Sequence, residues 1–273
     1  MSGSAPLLSS PFEFVYTFLV AIALAMGRPM ALFSVLPIVT RLGLPDLIKY
    51  ALALALSINI IGPLVENPAE LQTMSPLLLV FIVLKETLIG LALGIVIGAP
   101  FWAIEMAGNI LDFIRQAPDA TIQDPQGSTE SSITGTLLSI FAVLLFLSAG
   151  GLTTVVGLLY SSYDIWPVKT AFPEVTSDAS VRMLDLLDWM FRSAMLIASP
   201  LLLLLIISFV ILMIITKFIP QLNVFDMSMA FRNITFFAMI QVYSLYIVGY
   251  FAKDFSVVKS SLVYLEKILN GGQ

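Results

Sequence analysis

The sequence predicts an all-α fold of polytopic hydrophobic helical hairpins, about six apolar segments with several of them kinked, and three observations carry that prediction. Hydrophobic residues make up 59% of the chain and charged residues only 11%, whereas soluble domains carry roughly a quarter charged. The runs Ile133 to Tyr163 and Ser193 to Thr216 contain no charged residue, and no polar stretch is long enough for a soluble domain. Mean hydropathy is +0.99. Backbone groups in lipid must be satisfied internally, so runs of this kind read as helices.

The 273 residues read as one unit with five parts. A helical hairpin covers 12–65, a central helix 77–114, a polar loop 115–132, further helices 133–252 and a polar tail 253–273. The net charge of -5 is spread over loops, so no basic face points to nucleic acid. Cysteine and histidine are absent, which removes disulfides, thiol chemistry and the commonest general base and metal ligand. No Lys or Arg precedes Arg28, so the first apolar run is not read as a secretory signal.

Taken in order, Phe14 to Gly27 is apolar, Arg28 and Pro29 interrupt it, and Met30 to Thr40 resumes. Only the two halves together cross a hydrocarbon layer of about 30 Å, which puts Arg28 near mid-depth. Snorkelling or capping at a break, and a buried pairing role, both remain open for it. Gly43 and Pro45 turn the chain into a second run, Tyr50 to Val65, and a polar connection from Glu66 to Ser75 follows. Leu77 to Ile104 would be about 42 Å long as a helix, with a kink at Pro100. In the uncharged run after the loop, Ser148 to Gly151 is the expected break. Asp164 to Asp188 reads as a loop whose end is amphipathic and lies at an interface, with Ser177 capping a helix near Ala179. Ser193 to Thr216 bends at Pro200, and Asn233 to Ala252 is the last run. Lys and Arg fall in the first connection, the fifth and the tail, which cannot share one side of a six-span arrangement.

The central helix holds the candidate site. Gly90, Gly94 and Gly98 recur at four-residue spacing, which stacks them on one face where another backbone can approach. Glu86 precedes them on that line. Lys85 and Glu86, being adjacent, point about 100° apart and are not expected to face each other. A charge at this depth costs a few kcal/mol or more, so Lys85, Glu86 and Glu105 each call for a partner or water. The favoured role is contact within an assembly. The alternative is a small-solute or ion-coupled secondary transporter with Glu86 and Glu105 as relays, although the two halves show no repeat.

Other chemistry is thin. Ser256 and Lys259 form an SxxK spacing without companion motifs, and Asn233 opens a glycosylation-like triplet against an apolar run. No phosphate loop is present. The sequence therefore predicts no enzyme, cofactor or metal site.

KETLIGLALG, then WAIEMAGNILDFIRQAP, DPQG, and much later KFIPQLNVFDMSMAFRN together resemble the T subunit of bacterial type III secretion export apparatuses, related to the FliR protein of flagella. The resemblance spans nearly the whole chain and includes RPMALFSVLP near the start. It leans towards the injectisome branch. It implies a single-copy, multi-pass subunit of the bacterial inner membrane, partly raised towards the periplasm. There it assembles into a helical export gate with P/R-type, Q/S-type and switch-type B/U subunits, through which unfolded secreted proteins pass. It also implies a plug that closes the pore, falling here on Arg115, Gln116, Ala117, Pro118, Asp119, Ala120, Thr121, Ile122, Gln123, Asp124, Pro125, Gln126 and Gly127. Relatives place an RGAS-like turn where this chain has Arg115 to Pro118. Pro220, Gln221, Asn223 and Phe225, in the PQLNVF segment, join Lys85, Glu86, Gly90, Gly94, Gly98 and Glu105 as implied assembly contacts.

Overall fold

The computed structural model describes residues 11–66, 68–115, 121–123, 130–169, 178–219 and 224–259. In chain order these form α1 (Pro11–Val35), α2 (Pro37–Arg41), α3 (Asp46–Val65), α4 (Pro68–Thr73), α5 (Pro76–Arg115), β1 (Thr121–Gln123), β2 (Glu130–Ser132), α6 (Ile133–Ser148), α7 (Gly151–Ile165), α8 (Asp178–Phe218) and α9 (Val224–Lys259). The fold is all-α, apart from the three-residue strands β1 and β2, which pair antiparallel with Thr121 opposite Ser132 and Gln123 opposite Glu130. Among the described residues four helices are long and apolar enough to cross a membrane: 12–35, 46–65, 76–115 and 184–218. The bent pair α6 and α7 makes a fifth if it is one broken span. The chain is a multi-pass membrane protein.

Proline decides several boundaries, and not always as its chemistry alone suggests. The two apolar halves around Arg28 and Pro29 form one helix, as a single span requires, and the break left open at Arg28 does not occur. Pro29 lacks the N–H that would bond the Ala25 carbonyl, and that carbonyl instead accepts from Ser57 Oγ and the Tyr163 hydroxyl, each at 3.1 Å. The break falls later, at Leu36, which is extended (φ -67°, ψ 119°) ahead of Pro37, as a residue before proline tends to be. In α8 the carbonyl released by Pro200 is that of Leu196, and Ser199 Oγ donates to it at 3.1 Å. No separate interfacial helix precedes Ser193: α8 is one 41-residue helix from Asp178 to Phe218, so the amphipathic stretch continues the apolar run. Likewise the connection after Glu66 is not all loop but includes α4, whose Leu71 is fully buried.

The break expected within Ser148 to Gly151 is present. Gly150 adopts φ 77°, and α6 and α7 meet at 76°. A Cβ on Gly151 would lie 2.2 Å from the Phe146 ring, which is itself buried edge-on against Phe101 at 5.2 Å. The turn therefore needs glycine twice, once for the left-handed φ and once for room.

The described residues cluster into two compact units, one of 11–97 and 153–169, the other of 98–152 and 178–259. In the first, α1 packs chiefly on α3 and also touches α4. In the second, α8 packs chiefly on α9, the Tyr243 hydroxyl donates to the Ile197 carbonyl, and α6 also touches α9.

Candidate functional site

Two buried ionic clusters stand out, one in each unit. The first is built on Arg28 in α1, which is fully buried together with Glu86 in α5. Arg28 grips the carboxylate with both edges of its fork, Nε donating to Glu86 Oε2 at 2.8 Å and Nη2 to Oε1 at 3.0 Å. Its Nη1 donates to Ser162 Oγ at 2.9 Å and Nη2 also to the Trp166 carbonyl at 2.8 Å, while the guanidinium lies 4.0 Å over the Tyr163 ring. Of the two open readings of Arg28, the buried pairing role is the one the structure shows.

Lys85 completes this cluster. Its Nζ donates to the carbonyls of Pro167 and Val168 at 3.0 and 2.9 Å, and it stands 3.1 Å from Glu86 Oε1. The expectation that Lys85 and Glu86 do not face each other is thus overturned. The 100° separation describes Cβ directions, and the flexible four-carbon stem of lysine bridges it once Arg28 has fixed the carboxylate. Two cations surround one anion in this group. The carbonyls of Trp166, Pro167 and Val168 just beyond the end of α7 offset the excess, since a helix C-terminus carries negative partial charge.

The glycine face lets these groups meet. A Cβ on Gly90 would lie 2.2 Å from the Arg28 carbonyl oxygen, and one on Gly94 would lie 3.2 Å from that of Leu32. The neighbour occupying the groove at these two positions is therefore α1 of the same chain. From the other side, Gly27 brings α1 within reach of the Glu86 stem, at 3.2 Å for an added Cβ. Gly98 is buried and Glu105 half-buried. Glu86, which a coupled carrier would have to expose and titrate, is sealed on both oxygens by Arg28 and on one also by Lys85.

The second cluster lies at the C-terminal end of α5, around Asp112. Its Oδ1 accepts from Arg115 Nη2 and from Thr134 Oγ1, the latter at 2.6 Å. Its Oδ2 accepts from Ser132 Oγ and from the Thr134 backbone N–H, the latter at 2.8 Å. Ser132 in turn caps α6, accepting from the Gly135 N–H at 3.0 Å. Arg115 lies 3.9 Å over the Phe236 ring of α9. Close backbone contact again accompanies the charges: a Cβ on Gly108 would lie 2.5 Å from the Gly135 Cα. Arg115 and Thr134 also line a mostly apolar cavity of about 410 Å³ with Phe236 and Phe237.

Of the plug residues implied by resemblance, Arg115 closes α5 and Thr121, Ile122 and Gln123 form β1. Gln116 to Ala120 and Asp124 to Gly127 lie outside the described residues, as do Pro220, Gln221, Asn223 and Ser177. Phe225 falls in the first turn of α9. Sequence reasoning missed Asp112, Ser132, Thr134, Ser162 and Tyr163. A serine directly before the uncharged run at Ile133 is a legible N-cap signal, but nothing local marks Ser162 or Tyr163 as partners of Arg28.

A family model described as bacterial export proteins, family 1, matches residues 19–258. The chain is 28% identical over 253 residues to Yop proteins translocation protein T of Yersinia pestis, covering 92% of this chain and 96% of that one. It is 26% identical over 241 residues to the surface presentation of antigens protein SpaR of Shigella sonnei, covering 83% and 86%. To the flagellar biosynthetic protein FliR of Escherichia coli K12 it is 26% identical over 198 residues, covering 72% and 74%. The resemblance read from the motifs around Lys85 and Pro220 is therefore upheld along most of the chain, and the chain belongs to the bacterial export proteins, family 1.

Proposed function

We propose that this chain is a subunit of the inner-membrane export apparatus of a type III secretion system, forming part of the channel through which unfolded substrate proteins pass. The observation that carries the reading is the end-to-end likeness to translocation protein T, over 96% of that relative's length. Its mechanism is passive. The Arg28 and Glu86 cluster ties α1, residues 76–97 of α5 and the end of α7 together, and the segment from Arg115 to Gly127 seals the channel until export opens it. Partners are subunits of the P/R, Q/S and B/U types, and the assembled chain is partly raised towards the periplasm. Large exposed apolar side chains support such company: Leu203, Val242 and Leu245 are 60%, 71% and 77% exposed, surface that lipid or partner helices must cover.

Native mass spectrometry of the chain co-expressed with its neighbouring membrane subunits tests the assembly. One copy of this chain among several copies of smaller partners is expected, and a stable monomer or homodimer that ignores them would overturn the reading. Shortening the 116–127 segment is expected to leave that complex intact while vesicles containing it leak ions. A tight vesicle after the deletion removes the plug.

A further inference from the structure

We infer that Asp112 is a positioning residue that fixes the β1 and β2 hairpin to the end of α5, so that the hairpin leaves the helices in one direction. β2 ends at Ser132 and α6 begins at Ile133, with no linker between them. The direction of the hairpin is therefore set at that junction. On the outgoing side, residues 116–120 lie outside the described residues.

The Asp112 carboxylate takes hold of the junction from both sides. A carboxylate offers about four acceptor positions, and here each oxygen accepts two bonds: Arg115 Nη2 and Thr134 Oγ1 on Oδ1, Ser132 Oγ and the Thr134 N–H on Oδ2. Ser132 belongs to the strand and Thr134 to the first turn of the helix. By accepting the Ser132 hydroxyl proton, Asp112 also orients that oxygen so that its lone pair meets the Gly135 N–H. A negative charge at this N-terminus is favourable in itself. Arg115 is pinned on its far side by Phe236, and the Gly108 and Gly135 contact leaves the two helices little room to slide. That this hold serves a seal rests on the plug reading above.

The chain has no cysteine, so two introduced thiols are the only sites for spin labels. Labels at Leu144→Cys, on the exposed face of α6, and at Gln123→Cys, in β1, report the hairpin's direction by pulsed dipolar spectroscopy on the full chain in its co-purified complex. With Asp112 present a single narrow distance peak is expected. Asp112→Asn keeps the shape but turns one oxygen into a donor facing either the Arg115 guanidinium or the Thr134 N–H, neither of which can accept, so loss of the single peak at unchanged complex yield is expected. A peak just as narrow in both Asp112→Asn and Asp112→Ala overturns the inference. If Asp112→Asn does not assemble, Ser132→Ala combined with Thr134→Val removes both hydroxyl donors, and an unbroadened peak there overturns it equally. Potassium leak from vesicles carrying the Asp112→Asn complex then separates the two claims. A lost peak with leak supports both, and a lost peak without leak keeps Asp112 as the positioning residue while removing the seal.

Discussion

The two buried clusters use similar chemistry at opposite ranges. Arg28 meets Glu86 across 58 positions, Ser162 across 134 and Trp166 across 138, whereas Asp112 meets Arg115 three positions away and Ser132 and Thr134 across 20 and 22. The first ties helices distant in sequence into a unit; the second fastens one helix end to the start of the next. Arg28 lies within α1 and is fully buried, and Arg115, the last residue of α5, is buried as well, stacked on the Phe236 ring. Both charges are buried, so the clusters differ in how far along the chain their partners lie and in how many cations share the carboxylate.

That contrast makes Glu86→Ala against Asp112→Ala the sharpest comparison. Removing Glu86 leaves Arg28 and Lys85 buried without their carboxylate, a loss expected near 3–5 kcal/mol, read as collapse of purified yield and thermal stability in detergent. Asp112→Ala strands one buried cation instead of two, and Arg115 keeps the Thr134 hydroxyl at 3.1 Å and the Phe236 ring, so a smaller loss is expected. Equal loss of folded protein in both variants would break the distinction between a fold tie and a local fastening.

Next come the glycines beside each cluster. Gly90→Ala pushes a methyl group into the Arg28 carbonyl, and Gly108→Ala pushes one into the Gly135 backbone. Each is expected to cost about 1–3 kcal/mol or more, since backbone cannot yield as a flexible side chain does. Gly94→Ala, whose nearest contacts are 3.2 Å, gains roughly 1 kcal/mol of helix propensity against that crowding and is expected to be near neutral. Melting temperatures of the three variants rank them, and a Gly90→Ala variant as stable as Gly94→Ala would show that α1 and α5 are not held where the ion pair requires.

Among the partners of Arg28, a smaller effect than that of Glu86→Ala is expected for Ser162→Ala. It removes one of the four hydrogen bonds made by Arg28 and leaves the ion pair, at about 1–3 kcal/mol. A loss matching that of Glu86→Ala would mean that Ser162, not the carboxylate, holds the arginine.

Much of this was legible beforehand where the cause is local. The uncharged runs announce helices, the Ser148 to Gly151 cluster announces the break, and Gly90 and Gly94 announce a close approach. What approaches was not legible: the groove accepts α1 of the same chain, and only the fold brings Arg28 to it. The continuity of α1 through Pro29 was hidden for a similar reason, because Ser57 and Tyr163, which satisfy the orphaned Ala25 carbonyl, lie 32 and 138 positions away. The Asp112 cluster lies between these cases. Its members are near in sequence, but their meeting depends on the return of the chain through β2.

By itself, then, the sequence determined the all-α membrane character, the helix break and the family, because hydropathy, glycine content and motif spacing are properties of short stretches or of their order. Tertiary structure alone decided that Arg28 pairs with Glu86, that Lys85 bends round to the same carboxylate, and that Asp112 gathers Ser132 and Thr134 beside its helix neighbour Arg115. A buried charge takes its partners from whatever the folded chain places within about 3 Å, and that proximity is written in no single stretch of residues.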